Sequence, residues 1–286
     1  MEGADRLTTP YRLIFLDLDG TLVGRDEIVS PRTLAALDRA QQRGCTVVIC
    51  TARSRIATQP VAAQWDGHGY AIFCNGAFIT QWRTGRVLQK TSLDPETARE
   101  AARLAHVLGS APIFTGVHTG EDGGRTLYTD RVCPLLLTFL ARHGTSLIFH
   151  DDLGDAPDLC PLGVGAYGPA EAVHGLTRAW EQALGPRVVA FASPAERDGC
   201  WCTYINAQGA TKAAAAERVA AMLGVPQEQT LVVGDHLNDL ELLEWAGLGV
   251  CMGDGHADVR GRADHVTGTL AEDGAAQAIE RFVLGA

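Results

Sequence analysis

Short apolar runs alternate with helix-length segments at both ends of the chain, while the middle follows a different rhythm. Residues 11–18 are largely apolar until they meet acids, the pattern of a strand covered on both faces. Ser30-Pro31 then opens a helix, with serine as N-cap and proline in the first turn. Leu34, Ala35, Leu37 and Ala40 follow at helical spacing, and Gly44 closes the helix. Residues 45–50 predict a second buried strand and residues 70–74 a third. Between them, 54–65 reads as a helix that Pro60 must kink or break. The C-terminal stretch repeats the alternation. Helices are expected at 211–223, 237–246 and 272–283, and strands at 230–233 and 248–252. This order predicts an α/β fold, a Rossmann-like parallel sheet with helices on both faces.

The middle predicts an inserted α+β domain. Residues 78–91 alternate as a hairpin. Residues 95–108, 132–143 and 169–184 read as helices, and 188–191 as a strand. Residues 114–128 carry Gly116, Gly120, Gly123 and Gly124 and read as a loop or hairpin. The expected division is a core of residues 1–81 and 205–286 and a cap of residues 82–204.

Composition narrows the classes. The 286 residues are 46% apolar and 20% charged, which is globular rather than disordered. No apolar run is long enough to span a bilayer. Residues 1–6 carry charge and lack an apolar signal core, so a cytoplasmic location without a membrane partner is expected. A net charge of −10 argues against nucleic acid as a partner. It leaves room for a small anion, since one metal ion and one lysine can reverse the local field. Eight cysteines, several inside apolar runs, fit buried free thiols. Cys200-Trp201-Cys202 lacks the spacing of zinc or redox pairs and is read as packing on one strand face.

The candidate chemistry lies at strand ends. Asp17-Leu18-Asp19-Gly20-Thr21 places two acids just after a buried strand, costly without a cation. Strand ends are where open α/β sheets bind ligands. A second cluster, Gly234-Asp235-His236-Leu237-Asn238-Asp239, follows another buried strand. Acids from two strands can converge on one hard cation with oxygen ligands, most naturally Mg²⁺. Thr51 follows a strand and Lys212 starts a helix between the two clusters.

Together these residues resemble the haloacid dehalogenase superfamily, and within it the Cof-type sugar phosphatases. Three further segments share the likeness: Asn75-Gly76-Ala77, the stretch from Met252-Gly253-Asp254 to Ala263-Asp264-His265-Val266-Thr267, and Glu272-Asp273-Gly274. The middle insertion also sits where that group carries its cap. The resemblance implies that Asp17 attacks phosphorus and forms an aspartyl-phosphate, while Asp19 serves as acid and then base. It implies Mg²⁺ held by Asp17, the Asp19 carbonyl and Asp235, with Asp239 beside them. Thr51 and Lys212 would hold phosphoryl oxygens, and Asn238 and Asp239 would orient the phosphate, metal waters or Lys212. Asn75 and Gly76 are further candidates for substrate contact, and Arg53 reads equally as a third or as a plain surface arginine. Cys74, Ala213 and His236 depart from the usual pattern, which stands as Glu, Gly and Asn at those places.

Other features carry less. Gly163-Val164-Gly165-Ala166-Tyr167-Gly168 matches a dinucleotide fingerprint, but Pro169 follows at once and the ribose-binding acid is missing, so it reads as a strand of small residues. His118, Arg125 and Arg131 could meet a polar substrate in the cap. The expected activity is hydrolysis of a small phosphomonoester, such as a sugar phosphate. A phosphotransferase or mutase, and a non-catalytic binding protein, are the rival readings.

Overall fold

The computed structural model describes residues 10–116, 126–134, 136–137, 141, 146–156, 158–194 and 200–285. Its strands, in chain order, are β1 Leu13–Asp17, β2 Thr46–Cys50, β3 Gly69–Phe73, β4 Phe78–Gln81, β5 Val87–Lys90, β6 Ile113–Thr115 and β7 Thr126–Thr129. They continue with β8 Ser146–Phe149, β9 Gly163–Pro169, β10 Val188–Pro194, β11 Cys200–Ala207, β12 Thr230–Gly234, β13 Leu248–Cys251 and β14 His265–Val266.

They form two sheets. The larger has the order β14-β13-β12-β1-β2-β3-β4-β5, parallel from β14 to β3 and antiparallel at β4 and β5. β1 lies between β12 and β2, which explains its unbroken apolar run. Alternate side chains go to opposite faces. Leu13 and Phe15 pack with Ala215, Val219 and Leu242 on one side. Ile14 and Leu16 pack with Leu37, Ala40 and Ile279 on the other. The Rossmann-like α/β core expected from the alternation is therefore present.

The helix ends obey local chemistry. Ser30 accepts a hydrogen bond from the Thr33 amide and Pro31 begins the helix Pro31–Gln42. Ser54 caps Arg55–Ala62, which runs through Pro60 and stops two residues later, short of the expected 65. The last helix also differs from 272–283. Asp273 at φ 59° interrupts the turn, the helix is Gly274–Ile279, and a π-helical turn follows at Glu280–Leu284.

The second sheet has the order β10-β11-β9-β6-β7-β8. The helices Pro95–Val107 and Ala170–Leu184 cover one face, where Ala101, Ala105, Leu176 and Trp180 meet Phe114, Val164 and Ile205. The 78–91 hairpin pairs with the larger sheet, which therefore extends past residue 81 to Lys90. The smaller sheet extends past residue 204 to Ala207. β6 and β7 pair as a hairpin, but residues 117–125, including His118 and Arg125, lie outside the described residues. So does part of the expected helix at 132–143.

The glycine motif at 163–168 is strand β9, flanked by β6 and β11. A Cβ at Gly163 or Gly165 would collide with the Tyr204 ring. The small residues leave room for that ring, as a strand and not as a phosphate loop. Cys200 and Cys202 lie two apart on β11 and so share a face. All eight cysteines are free thiols, with Cys45, Cys50, Cys74 and Cys251 buried and Cys160 exposed. Among the described residues no helix is long and apolar enough to cross a membrane.

Candidate active site

Four parallel strands deliver the site residues at their C-terminal ends. β1 ends in Asp17, β2 leads into Thr51, β3 into Asn75 and Gly76, and β12 into Asp235. Lys212 enters from the first position of the helix Lys212–Leu223, whose N-cap Thr211 accepts from the Ala214 amide.

Lys212 is the hub. It is 2% exposed, and its ammonium donates to Asp17 Oδ1 at 2.5 Å and to Asp239 Oδ1 at 2.6 Å. Burial alone would lower its pKa, but Asp17 and Asp239 outweigh burial and raise it. Asp239 uses its other oxygen as well: Oδ2 accepts from the amides of Asp235 and His236, both at 3.2 Å. Burial, and then repulsion by Asp239, lifts the Asp17 carboxyl well above the usual range against the pull of Lys212. The same causes push Asp235 up to about 7. Thr21 donates to Asp235 Oδ1 at 3.2 Å. Gly20, at φ +84°, is required here, because a Cβ would lie 2.5 Å from Asp235 Oδ2.

Carboxylate oxygens of Asp17, Asp235 and Asp239 come within 4.8 Å of one another. Three acids around one ammonium leave an excess of negative charge in a buried place. An all-oxygen donor set of this kind suits a hard dication.

The Asp19 side chain stands apart from that group. Arg53 grips it with two nitrogens, Nη2 at 2.5 Å from Oδ1 and Nε at 2.9 Å from Oδ2. The Nη1 of the same guanidinium donates to Glu27 Oε1 at 2.7 Å and to the Ala57 carbonyl at 3.1 Å. Arg53, a candidate for substrate contact, thus binds the candidate acid/base. Glu27 was not anticipated. It lies in a polar loop at φ 58°, and nothing around it in sequence marks it.

The remaining candidates build the frame. Thr51 is buried, its Oγ1 accepts from the Arg53 amide at 3.1 Å, and its carbonyl accepts from the Asn75 amide. Asn238 Nδ2 donates to Asn75 Oδ1 at 3.0 Å, tying β3's end to the second acidic cluster. Gly76, at φ +108°, touches the backbone of Thr211, and a Cβ there would collide with the Thr211 carbonyl. That close approach sets the helix carrying Lys212 against the loop after β3. Cys74 has φ 51° and is buried, with its thiol pushed up to about 12 by burial despite a hydrogen bond with Tyr204. This departure from the usual pattern therefore sits where the two sheets meet. Burial lowers the pKa of His236, whose ring stands edge-on to His256 at 5.9 Å.

Comparison with known proteins places the chain in a family. The family described as haloacid dehalogenase-like hydrolase matches residues 14–117 and 185–279. An HMP-PP phosphatase of Serratia proteamaculans (strain 568) is 30% identical over 247 residues, covering 85% of this chain and 84% of that protein. A 5-amino-6-(5-phospho-D-ribitylamino)uracil phosphatase of Bacillus subtilis (strain 168) is 29% identical over 291 residues, covering 96% and 98%. The crystal structure of a haloacid dehalogenase-like hydrolase from Bacteroides thetaiotaomicron superposes with a TM-score of 0.78 at 25% identity, covering 95% of this chain and 99% of that one. The chain belongs to the haloacid dehalogenase-like hydrolase family, in its Cof-type branch. It is a phosphatase of the haloacid dehalogenase type.

Proposed function

We propose that the protein hydrolyses a small phosphomonoester, such as a sugar phosphate or a related metabolite, through an aspartyl-phosphate on Asp17, with Mg²⁺ as cofactor. The observation that carries this reading is the buried Asp17–Lys212–Asp239 chain of contacts, with Asp235 beside it, at the ends of β1 and β12. Asp17 attacks phosphorus and the ester oxygen leaves, taking a proton from Asp19. Asp19 then accepts a proton from the water that attacks the aspartyl-phosphate, which releases phosphate and restores Asp17. Thr51 and Lys212 hold phosphoryl oxygens as charge spreads over them. Asp17, the Asp19 carbonyl, Asp235 and Asp239 are the residues suited to hold the metal. Bound there, Mg²⁺ offsets the repulsion between a carboxylate and a phosphate dianion.

Residues 82–204 would act as the cap that selects the substrate, over a core of 1–81 and 205–286. The relatives named for HMP-PP and 5-amino-6-(5-phospho-D-ribitylamino)uracil phosphate make those two compounds the first to include in a metabolite panel. Phosphate release from p-nitrophenyl phosphate with and without Mg²⁺ tests the class. No metal-dependent turnover above an Asp17→Asn control would sink it. Inorganic phosphate that lags behind substrate loss would favour transfer to another acceptor.

Arg53 orients Asp19 in this scheme. Arg53→Ala is expected to lower kcat by about ten- to a hundredfold, part of what acid/base catalysis supplies, with little change in KM. A raised KM with kcat unchanged would instead make Arg53 a substrate contact.

The metal also links to pH. Asp235, and Asp17 more strongly, hold protons more tightly folded than unfolded when no cation is bound. The unfolded carboxyls titrate near 3.8 and the folded Asp235 near 7. Metal-free protein should therefore lose stability as pH rises through that window. Mg²⁺ favours the ionised acids, so it should raise Tm more at about pH 8 than at about pH 5. Thermal melts in EDTA and in Mg²⁺ at the two pH values check this, and equal shifts would contradict it.

A further inference from the structure

A second cluster of ligand-type side chains lies on the smaller sheet, outside the Asp17 group. His106 is in the last turn of the helix Pro95–Val107, Asp130 follows β7 directly, and Asp152 lies three residues past β8. One ring nitrogen of His106 and one oxygen from each aspartate come within 4.8 Å of one another. The side chains of Asp130 and His106 are 3% and 15% exposed, while Asp152 is 53% exposed and open to water.

The hydrogen bonding there is incomplete in a telling way. Asp130 Oδ2 accepts from the Leu153 amide at 2.7 Å, but its Oδ1 is buried and has no partner. His106 Nε2 lies 2.8 Å from Asp130 Oδ2, yet it too makes no hydrogen bond, so the ring N–H is not aligned on the carboxylate. An ion pair alone would align that bond, because a buried unsatisfied pair is costly. Two ligands of one ion show a different signature: with bonds of about 2.1 Å, adjacent donors sit roughly 3 Å apart whatever the hydrogen direction. The carboxylates are also held in place from behind. The Gly154 amide donates to Asp152 Oδ1 at 2.6 Å, next to the Leu153 amide on Asp130. Outer hydrogen bonds of this kind orient metal ligands.

We propose that His106, Asp130 and Asp152 form a binding site for a transition-metal dication such as Zn²⁺ or Mn²⁺. One imidazole with two carboxylates suits such ions better than Mg²⁺ or Ca²⁺, which prefer oxygen alone. Water completes the shell on the open side of Asp152. The ion joins the end of a helix to the segments after two strands, so its effect is on the stability of the smaller sheet and not on the chemistry at Asp17.

Calorimetric titration of Zn²⁺ into the full chain, kept in saturating Mg²⁺ to occupy the Asp17 group, tests the site. Wild type should bind one Zn²⁺ that both Asp152→Asn and His106→Gln weaken at least about tenfold. Zn²⁺ should raise the Tm of wild type and not of either variant, while Mg²⁺-dependent phosphate release stays unchanged in Asp152→Asn. Asp152 is half exposed, so its variant folds even if His106→Gln does not. Equal Zn²⁺ affinity in wild type and Asp152→Asn would overturn the proposal. So would no Zn²⁺ binding in Mg²⁺, or a His106→Gln loss of Tm that is the same with and without Zn²⁺. Because the readout is binding and Tm, these outcomes stand apart from the catalytic reading.

Discussion

Asp17→Asn should reduce phosphate release by at least about 10⁴-fold, the scale of losing a catalytic nucleophile. The amide has no anionic oxygen to attack phosphorus. The fold should survive the change. Asp17, Asp235 and Asp239 crowd around Lys212, and burial with repulsion from Asp239 already lifts the Asp17 carboxyl. Removing one of the three negative charges relieves that repulsion, so metal-free Asp17→Asn should melt no lower than wild type. Asp19→Asn gives the contrast that assigns roles. Its nucleophile is intact, so an activated ester with a good leaving group should still trap a phosphoenzyme, seen as added mass after acid quench. Equal and complete loss of phosphoenzyme in both variants would remove Asp19 from the acid/base step.

Lys212→Met should be the most destabilising single change in the site. Lys212 is buried, and its ammonium serves two buried carboxylates. Taking one partner from a buried ion pair costs about 3–5 kcal/mol, because the remaining charges lose their compensation. The loss should appear in urea unfolding in EDTA and shrink when Mg²⁺ is added, since a dication in the same group offsets the same charge. Asp239→Asn in the Lys212→Met background should recover part of it. A loss below about 1 kcal/mol in EDTA would show that Lys212 does not balance these acids.

These contrasts also show what the sequence made legible. β1, β2, β3, β12 and β13 were readable because parallel strands covered on both faces need continuous apolar runs. Asp17, Thr51, Lys212 and Asp235 stand out as candidates because each sits at a strand end or helix start in a fixed order. β8 was not, since Ser146–Phe149 is mostly exposed and has no alternation to betray it. The direction of Arg53 was not either. Its partner Glu27 is itself a left-handed residue in a loop, which no local pattern announces. The contact of Cys74 with Tyr204 was not legible either, because Tyr204 belongs to the other sheet. His106, Asp130 and Asp152 come from three elements with no motif spacing among them.

The contact between Gly76 and Thr211 has a consequence for how such a chain can change. After Gly76 the chain adds β4 and β5 to the larger sheet, passes through the smaller sheet and comes back at Thr211, which touches Gly76. Everything between the two residues is closed at its base by that one contact. To the residues that hold Lys212, an insertion of any length is a closed loop, and lengthening a closed loop adds little entropy cost. The inserted segment can thus be rebuilt or replaced while Lys212 stays against Asp17.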